Sequence, residues 1–155
     1  SRTVLPGGMV VITRETRKTP AVTLSLVVRG GAAADPPAQA GAMYLLSRVI
    51  DRGTATRSAA DIADILDSRG ITLNVGVNRH QFSVTCTCLA EDFDTVVGLL
   101  AEIVTAPSVP ETELATRKRE VVTGIRQDQD SPAVRSMETL LALLYGETHP
   151  YGRSV

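Results

Sequence analysis

The chain of 155 residues has little of what usually announces a function. It holds two histidines and two cysteines, and 16 Lys plus Arg nearly cancel 17 Asp plus Glu. A net charge near zero argues against a nucleic-acid or anionic-membrane partner. The one dense basic run, Arg117-Lys118-Arg119, falls inside an expected helix and reads as a solvated face. No stretch approaches the ~20 apolar residues of a membrane span. No leader pattern opens the chain, and no short-period repeat or low-complexity segment interrupts it. The opening Ser1-Arg2-Thr3 lacks an initiating Met, so a clipped or longer parent chain is expected. Cys86 and Cys88 share one face of an expected strand, where a mutual disulfide is poorly placed. They read as buried core thiols, and no compartment follows from them.

The scarcity of histidine narrows the chemistry. A two-histidine metal site would require His80, at a turn, to meet His149, in a closing loop; His149 reads instead as fixing the His149-Pro150-Tyr151 turn. A serine hydrolase built on Ser47 lacks the Gly-x-Ser-x-Gly context. The acid pairs Asp61/Asp64 and Asp128/Asp130 read as helix caps and solvated faces.

What is present is pattern. With 43% hydrophobic and 21% charged residues, residues 1–155 suffice for a single domain with a real core. Val10-Val11-Ile12 predicts a short strand, and the alternation of Val22, Leu24, Leu26 and Val28 predicts a second. Asp35-Pro36-Pro37 breaks the chain before a helix over Gly41–Thr54, with Ala42, Leu45, Leu46 and Val49 on its buried face. Tyr44, Ser47, Arg48 and Asp51 fall on the opposite face, and Gly53 is its stop. Ser58 and Asp61 form a capping box for the next helix, with Ile62, Ile65 and Leu66 inward. Leu73–Val77 and Phe82–Cys88 alternate around Asn78-Arg79-His80, the clearest hairpin. Three helices follow. The first has Phe93, Val96, Val97, Leu100, Ile103 and Val104 as its stripe. The second is capped at Ser108–Glu111, with Leu114, Val121, Val122 and Ile125 inward. The third carries Val134, Met137, Leu140, Leu141 and Leu144 and is closed by Gly146. The order ββααββααα predicts an α+β fold, an antiparallel sheet with helices packed on it.

The helix over Gly41–Thr54 resembles the zinc helix of the insulinase/pitrilysin/processing-peptidase family. In that family a Gly- and Leu-rich helix bears the inverted motif His-x-x-Glu-His and ends in Gly-Thr. The resemblance runs through Val4–Val11, Val28–Gly41, Ala106–Pro110, Arg119–Val122 with Asp128–Pro132, and Leu144–Gly152, nearly the whole chain. It implies that Tyr44 and Arg48 occupy the positions of the two histidine ligands and Ser47 that of the catalytic base. Gly124 falls at the third ligand, with Glu120 one turn away as a fallback. Zinc needs imidazole, thiolate or carboxylate donors. Arginine has no lone pair to give, glycine has no side chain, and a serine is no base near neutral pH. No metal and no catalytic residue are therefore expected in this chain.

The resemblance implies the first part of one family repeat, and hence a truncated unit. Its implied role is a non-catalytic repeat shaping a peptide chamber for a zinc-bearing partner half. Leu73, Asn74, Val75, Gly76, Val77 and Asn78 correspond to the strand whose edge holds extended peptide. Two alternatives remain: a purely structural subunit, as in respiratory-complex core proteins of the family, or an active peptidase with its ligands placed elsewhere. The fragment is also expected to associate with itself through an unfinished sheet edge and uncovered apolar surface. Arg48 is expected to find a carboxylate, with Asp51 the first candidate.

Overall fold

The computed structural model describes residues 1–153. Strand β5 (Gln81–Leu89) is the central element. It pairs antiparallel along its whole length with β3 (Ala21–Arg29), from Ala21↔Leu89 to Arg29↔Gln81, and on its other side with β4 (Thr72–Val77). The alternation in its sequence explains this place. Phe82, Val84, Cys86 and Cys88 are buried on one face, while Thr85 and Thr87 on the other share hydroxyl contacts of 3.1 Å with Ser25 and Thr23. Both cysteines are free core thiols, and burial pushes Cys86 up to about 11.

The apolar face is covered by helices. In α3 (Phe93–Thr105), Val96, Leu99, Leu100 and Ile103 are buried. That is the i, i+3, i+4, i+7 set of one helical face. The expected stripe is thus corrected: Leu99 belongs to it, while Phe93 and Val97 are each 40% exposed. From α2 (Ala59–Ser68), Ile62 is buried, with Ile65 and Leu66 packed beside it. The Ser58–Asp61 capping box forms as expected: Asp61 Oδ2 accepts the Ser58 amide at 2.8 Å and the Asp61 amide donates to Ser58 Oγ at 3.2 Å. Helix α1 (Ala42–Val49) lies against β4 and against α4 (Glu111–Gln129), and α4 packs on α5 (Pro132–Tyr145).

The α+β architecture is the one expected, with one strand more. Arg2–Val4 (β1) pairs with Val10–Ile12 (β2) in a two-stranded hairpin outside the main sheet. Helices α4 and α5 differ from expectation. Val122 and Ile125, expected inward, are exposed, and so are Met137, Leu140 and Leu144 of the α5 stripe. These two helices lie at the periphery, where nothing among the described residues covers their outer faces. No helix among the described residues is long and apolar enough to cross a membrane.

Gly53-Thr54 locks the end of the α1 segment to α3 and to the α3–α4 connection. Gly53 has φ +154°, and a Cβ there would come 2.7 Å from Ser108 Oγ. Ser108 therefore serves this lock, its amide donating to Gly53 O at 3.0 Å, and α4 starts after Pro110 with no side-chain cap. Buried Thr54 donates to Glu102 Oε2 at 3.2 Å, Thr56 donates to the same oxygen at 2.9 Å, and Arg57 forms an ion pair with it. The Arg57 guanidinium, with the Thr56 hydroxyl next, holds the Glu102 carboxyl below the ordinary glutamate range. A depressed carboxyl contributes stability that is complete above its unfolded-state value and lost as pH falls through its folded one. Acid titration of unfolding should therefore show stability falling below the ordinary glutamate range, and Glu102→Gln should flatten that dependence while lowering stability at neutral pH.

Candidate functional site

Helix α1 begins after a turn held by a carboxylate that the sequence pattern did not reveal. Asp35 is only 6% exposed. Its Oδ2 accepts the Gly41 amide at 2.9 Å and its Oδ1 the Met43 amide at 3.2 Å. These amides have no partner within the helix at its first turn, and a carboxylate there also faces the positive end of the helix dipole. The signal in the sequence was an Asp directly before Pro-Pro, six residues ahead of Gly41. The approach to Asp35 is fixed in turn by Gly31, where a Cβ would lie 1.9 Å from Asn78 O. The Ala32 amide donates to that oxygen at 2.9 Å, tying the approach to the β4–β5 turn.

Along α1, Tyr44 is 40% exposed and Arg48 is exposed, as their face predicts. Ser47 departs from that face. It is 7% exposed, and its hydroxyl turns back to donate to Tyr44 O at 2.7 Å. Ala42, expected inward, is exposed at the first turn. Asp51 does not pair with Arg48; its Oδ1 stands 3.4 Å from Arg52 Nε. Arg48 itself makes no hydrogen bond or ion pair with a described residue.

These residues meet two other elements in one small cleft of about 190 Å³. The α1 segment supplies Ser47, Arg48, Asp51 and Arg52, β4 supplies Leu73, Asn74 and Val75, and α4 supplies Arg117. Arg117 was expected on a solvated face with Lys118 and Arg119. Those two are exposed, but Arg117 turns toward the cleft with its side chain 25% exposed. Its Nη1 donates to Glu120 Oε2 at 2.7 Å, and Glu113 stands 3.9 Å from its Nη2. Glu120, and secondarily Glu113 and Asp51, hold the guanidinium charge more firmly than usual. The flanking acids at i−4 and i+3 were the signal for this arrangement.

Zinc does not fit this donor set. Arg48 brings a fixed positive charge, Ser47 is engaged with its own helix, and Glu120 is engaged with Arg117. A side chain at Gly124 would meet nothing within 4 Å. Among the described residues, no three His, Cys, Asp or Glu side chains stand together at metal-holding spacing. The two histidines line the cleft nowhere; both touch Tyr151. His80 Nε2 lies 3.1 Å from its hydroxyl, and His149 Nδ1 accepts its amide at 3.1 Å, the turn-fixing role expected of His149.

Strand β4 is bonded to β5 on one side only, so its other edge is open among the described residues. Leu73, Asn74, Val75, Gly76 and Val77 lie on it. Asn78 lies beyond it, in the turn, with its side chain accepting the His80 and Gln81 amides at 2.8 and 2.9 Å.

The family model described as insulinase, peptidase family M16, matches residues 10–154. The chain belongs to the insulinase family. An uncharacterized zinc protease of Mycobacterium tuberculosis is 29% identical to this family member over 154 residues, which cover 99% of the chain and 35% of that protein. The non-peptidase homolog YmxG of Helicobacter pylori is 25% identical over 138 residues, 89% of the chain and 32% of that protein. A crystal structure described as a peptidase M16 inactive domain, from Pseudomonas fluorescens, superposes with a TM-score of 0.92 at 24% identity. It is matched over 99% of this chain and 37% of its own. That likeness shows the M16 fold. The chain thus spans about a third of the length of the curated relatives it matches.

Because Asp35 fixes the start of α1, Asp35→Ala should strand two helix amides and cost about 1–3 kcal/mol of unfolding free energy. Urea unfolding should show a lower midpoint at unchanged slope. Asp35→Asn, which keeps one acceptor oxygen, should lose less.

Proposed function

We propose that this chain is a non-catalytic repeat of an M16 peptidase, shaping the peptide chamber beside a zinc-bearing half. The observation that carries this reading is the contrast within α1 and α4. The frame of the helix is intact: the Asp35 cap, the packing against β4 and α4, and the Gly53-Thr54 end that resembles the family's. The ligand and base positions carry Tyr44, Ser47, Arg48 and Gly124. A bypassed ligand would account for one substitution; four together leave neither a metal nor a base to activate water. The cofactor zinc belongs, in this reading, to the partner half. The part left to this chain is to present the β4 edge, Leu73 to Val77, to an extended peptide. The name non-peptidase homolog, borne by one relative, accords with such a role.

Metal analysis tests the register directly. The chain purified without a metal-affinity tag should carry far less than one zinc. The triple variant Tyr44→His, Arg48→His, Gly124→Glu should gain about one chelator-removable zinc per chain, since the open space at Gly124 admits the new carboxylate. Stoichiometric zinc in the unmodified chain would overturn the reading.

The partner surface in this proposal is the outer face of α4 and α5. Leu143 is 81% exposed, Leu144 66% and Met137 57%. Covering such side chains is worth ~25 cal/mol per Å². In isolation the chain should self-associate, and light scattering at micromolar concentration should show a mass that rises with concentration. Leu143→Glu combined with Leu144→Glu should return it to a monomer.

A further inference from the structure

We infer that the cleft between α1, β4 and α4 is a carboxylate-binding site, taking the acidic side chain or the C-terminal carboxylate of a peptide laid along the β4 edge. The cleft is lined by three guanidinium groups and a single carboxylate, Asp51. A guanidinium offers five N–H donors and no acceptor, so donors far outnumber acceptors here. Their arrangement leaves specific donors unused. Arg48 has no hydrogen bond or ion pair to a described residue. Arg52 Nε is buried and is ion-paired with Asp51 at 3.4 Å but makes no hydrogen bond. Arg117 Nε is likewise buried and unbonded, although its Nη1 is anchored on Glu120. Glu120 and Glu113 act from the α4 side, outside the cleft lining, so they orient Arg117 while leaving its inner edge open. Buried donors without acceptors are costly, and an ionised oxygen is the partner that satisfies them best.

The ligand's form follows from the wall the cationic groups face. Leu73, Asn74 and Val75 line the same cleft, and β4 has an open edge among the described residues. A peptide adding to that edge would bring its alternate side chains, or its terminus, against Arg48. At roughly 30 Å³ per water, a cleft of about 190 Å³ has room for a carboxylate and its stem with little else. The planar fork of arginine matches a carboxylate in two-point contact, which an ammonium does not reproduce. The inference depends on the proposed function in one respect, that no metal competes for this place.

Calorimetric titration of the chain with three acetylated heptapeptides of alternating threonine and valine tests it. One ends in a free carboxylate, one in an amide, and one in an amide with glutamate at its centre. At low salt, roughly 50 mM, where charge pairing is least screened, at least one acid should bind about tenfold or more tighter than the neutral amide. The acid that gains identifies the source of the carboxylate. Arg48→Gln, at an exposed position, should erase the gain with the fold intact by circular dichroism, and Arg48→Lys should restore only part of it. Equal binding of all three peptides, an acid advantage that survives Arg48→Gln, or no binding of any peptide would overturn the carboxylate site. Each of those outcomes leaves the absence of zinc chemistry standing, which falls only on the zinc measurement; no binding of any peptide would also remove the peptide-presenting role of the β4 edge.

Discussion

The double pairing of β5 is the constraint from which the rest of the molecule follows. Nine consecutive residues are bonded to β3 along one side, and six of their positions to β4 along the other. Once both neighbours are in place, Phe82, Val84, Cys86 and Cys88 must point into one layer, and the helices can only pack there. The same pairing makes β4 an edge. It sets α1 against that edge, because the approach to α1 is bonded to the β4–β5 turn through Gly31 and Ala32. The cleft is therefore a consequence of sheet order: two walls come from elements that β5 positions, and α4 closes the third.

Within that geometry the identity of a few side chains reverses what the cleft can hold. A metal helix gathers lone pairs around a cation. In the proposed register the corresponding positions would give one fixed cation at Arg48, an internally satisfied hydroxyl at Ser47 and no side chain at Gly124. Arg52 and Arg117 add to the positive side; Asp51 stands against Arg52, while Glu120 and Glu113 hold Arg117 in place. The fold would be indifferent to such an exchange, because none of these side chains belongs to the apolar core. Val49, Ile50 and the Asp35 cap hold α1 whatever its outward face displays.

How much of this was legible in the sequence depended on periodicity. The hairpin of β4 and β5 and the capping box at Ser58 were readable because alternation and local hydrogen-bond chemistry specify them within a few residues. Strand β1 was not: Arg2-Thr3-Val4 is too short and polar to alternate, and only its pairing with β2 defines it. Ser47 was misplaced by helical period alone. It sits at the border of the polar face, and its bond to the Tyr44 carbonyl lets a hydroxyl be buried there. Asp35 was hidden because a cap reaching across six residues has no fixed spacing. Arg117 was hidden inside a basic run, where sequence cannot say which of three neighbouring cations turns inward.

Helices α4 and α5 show where periodicity misleads for a different reason. Their apolar stripes are genuine: Val122, Ile125, Met137, Leu140 and Leu144 recur at helical spacing. An apolar stripe states that a face is to be covered, and the identity of the cover lies outside the stripe. In α3 the cover is β5, and the residues at i, i+3, i+4 and i+7 are buried accordingly. In α4 and α5 the cover comes chiefly from each other, from α1 and from the loop carrying His149 and Tyr151, and one side of each stripe stays exposed. The same physics that buries Ile103 completely leaves Leu143 almost fully open. The difference is the neighbour, and a reading that equates apolar with inward will fail wherever a domain is built to meet another surface.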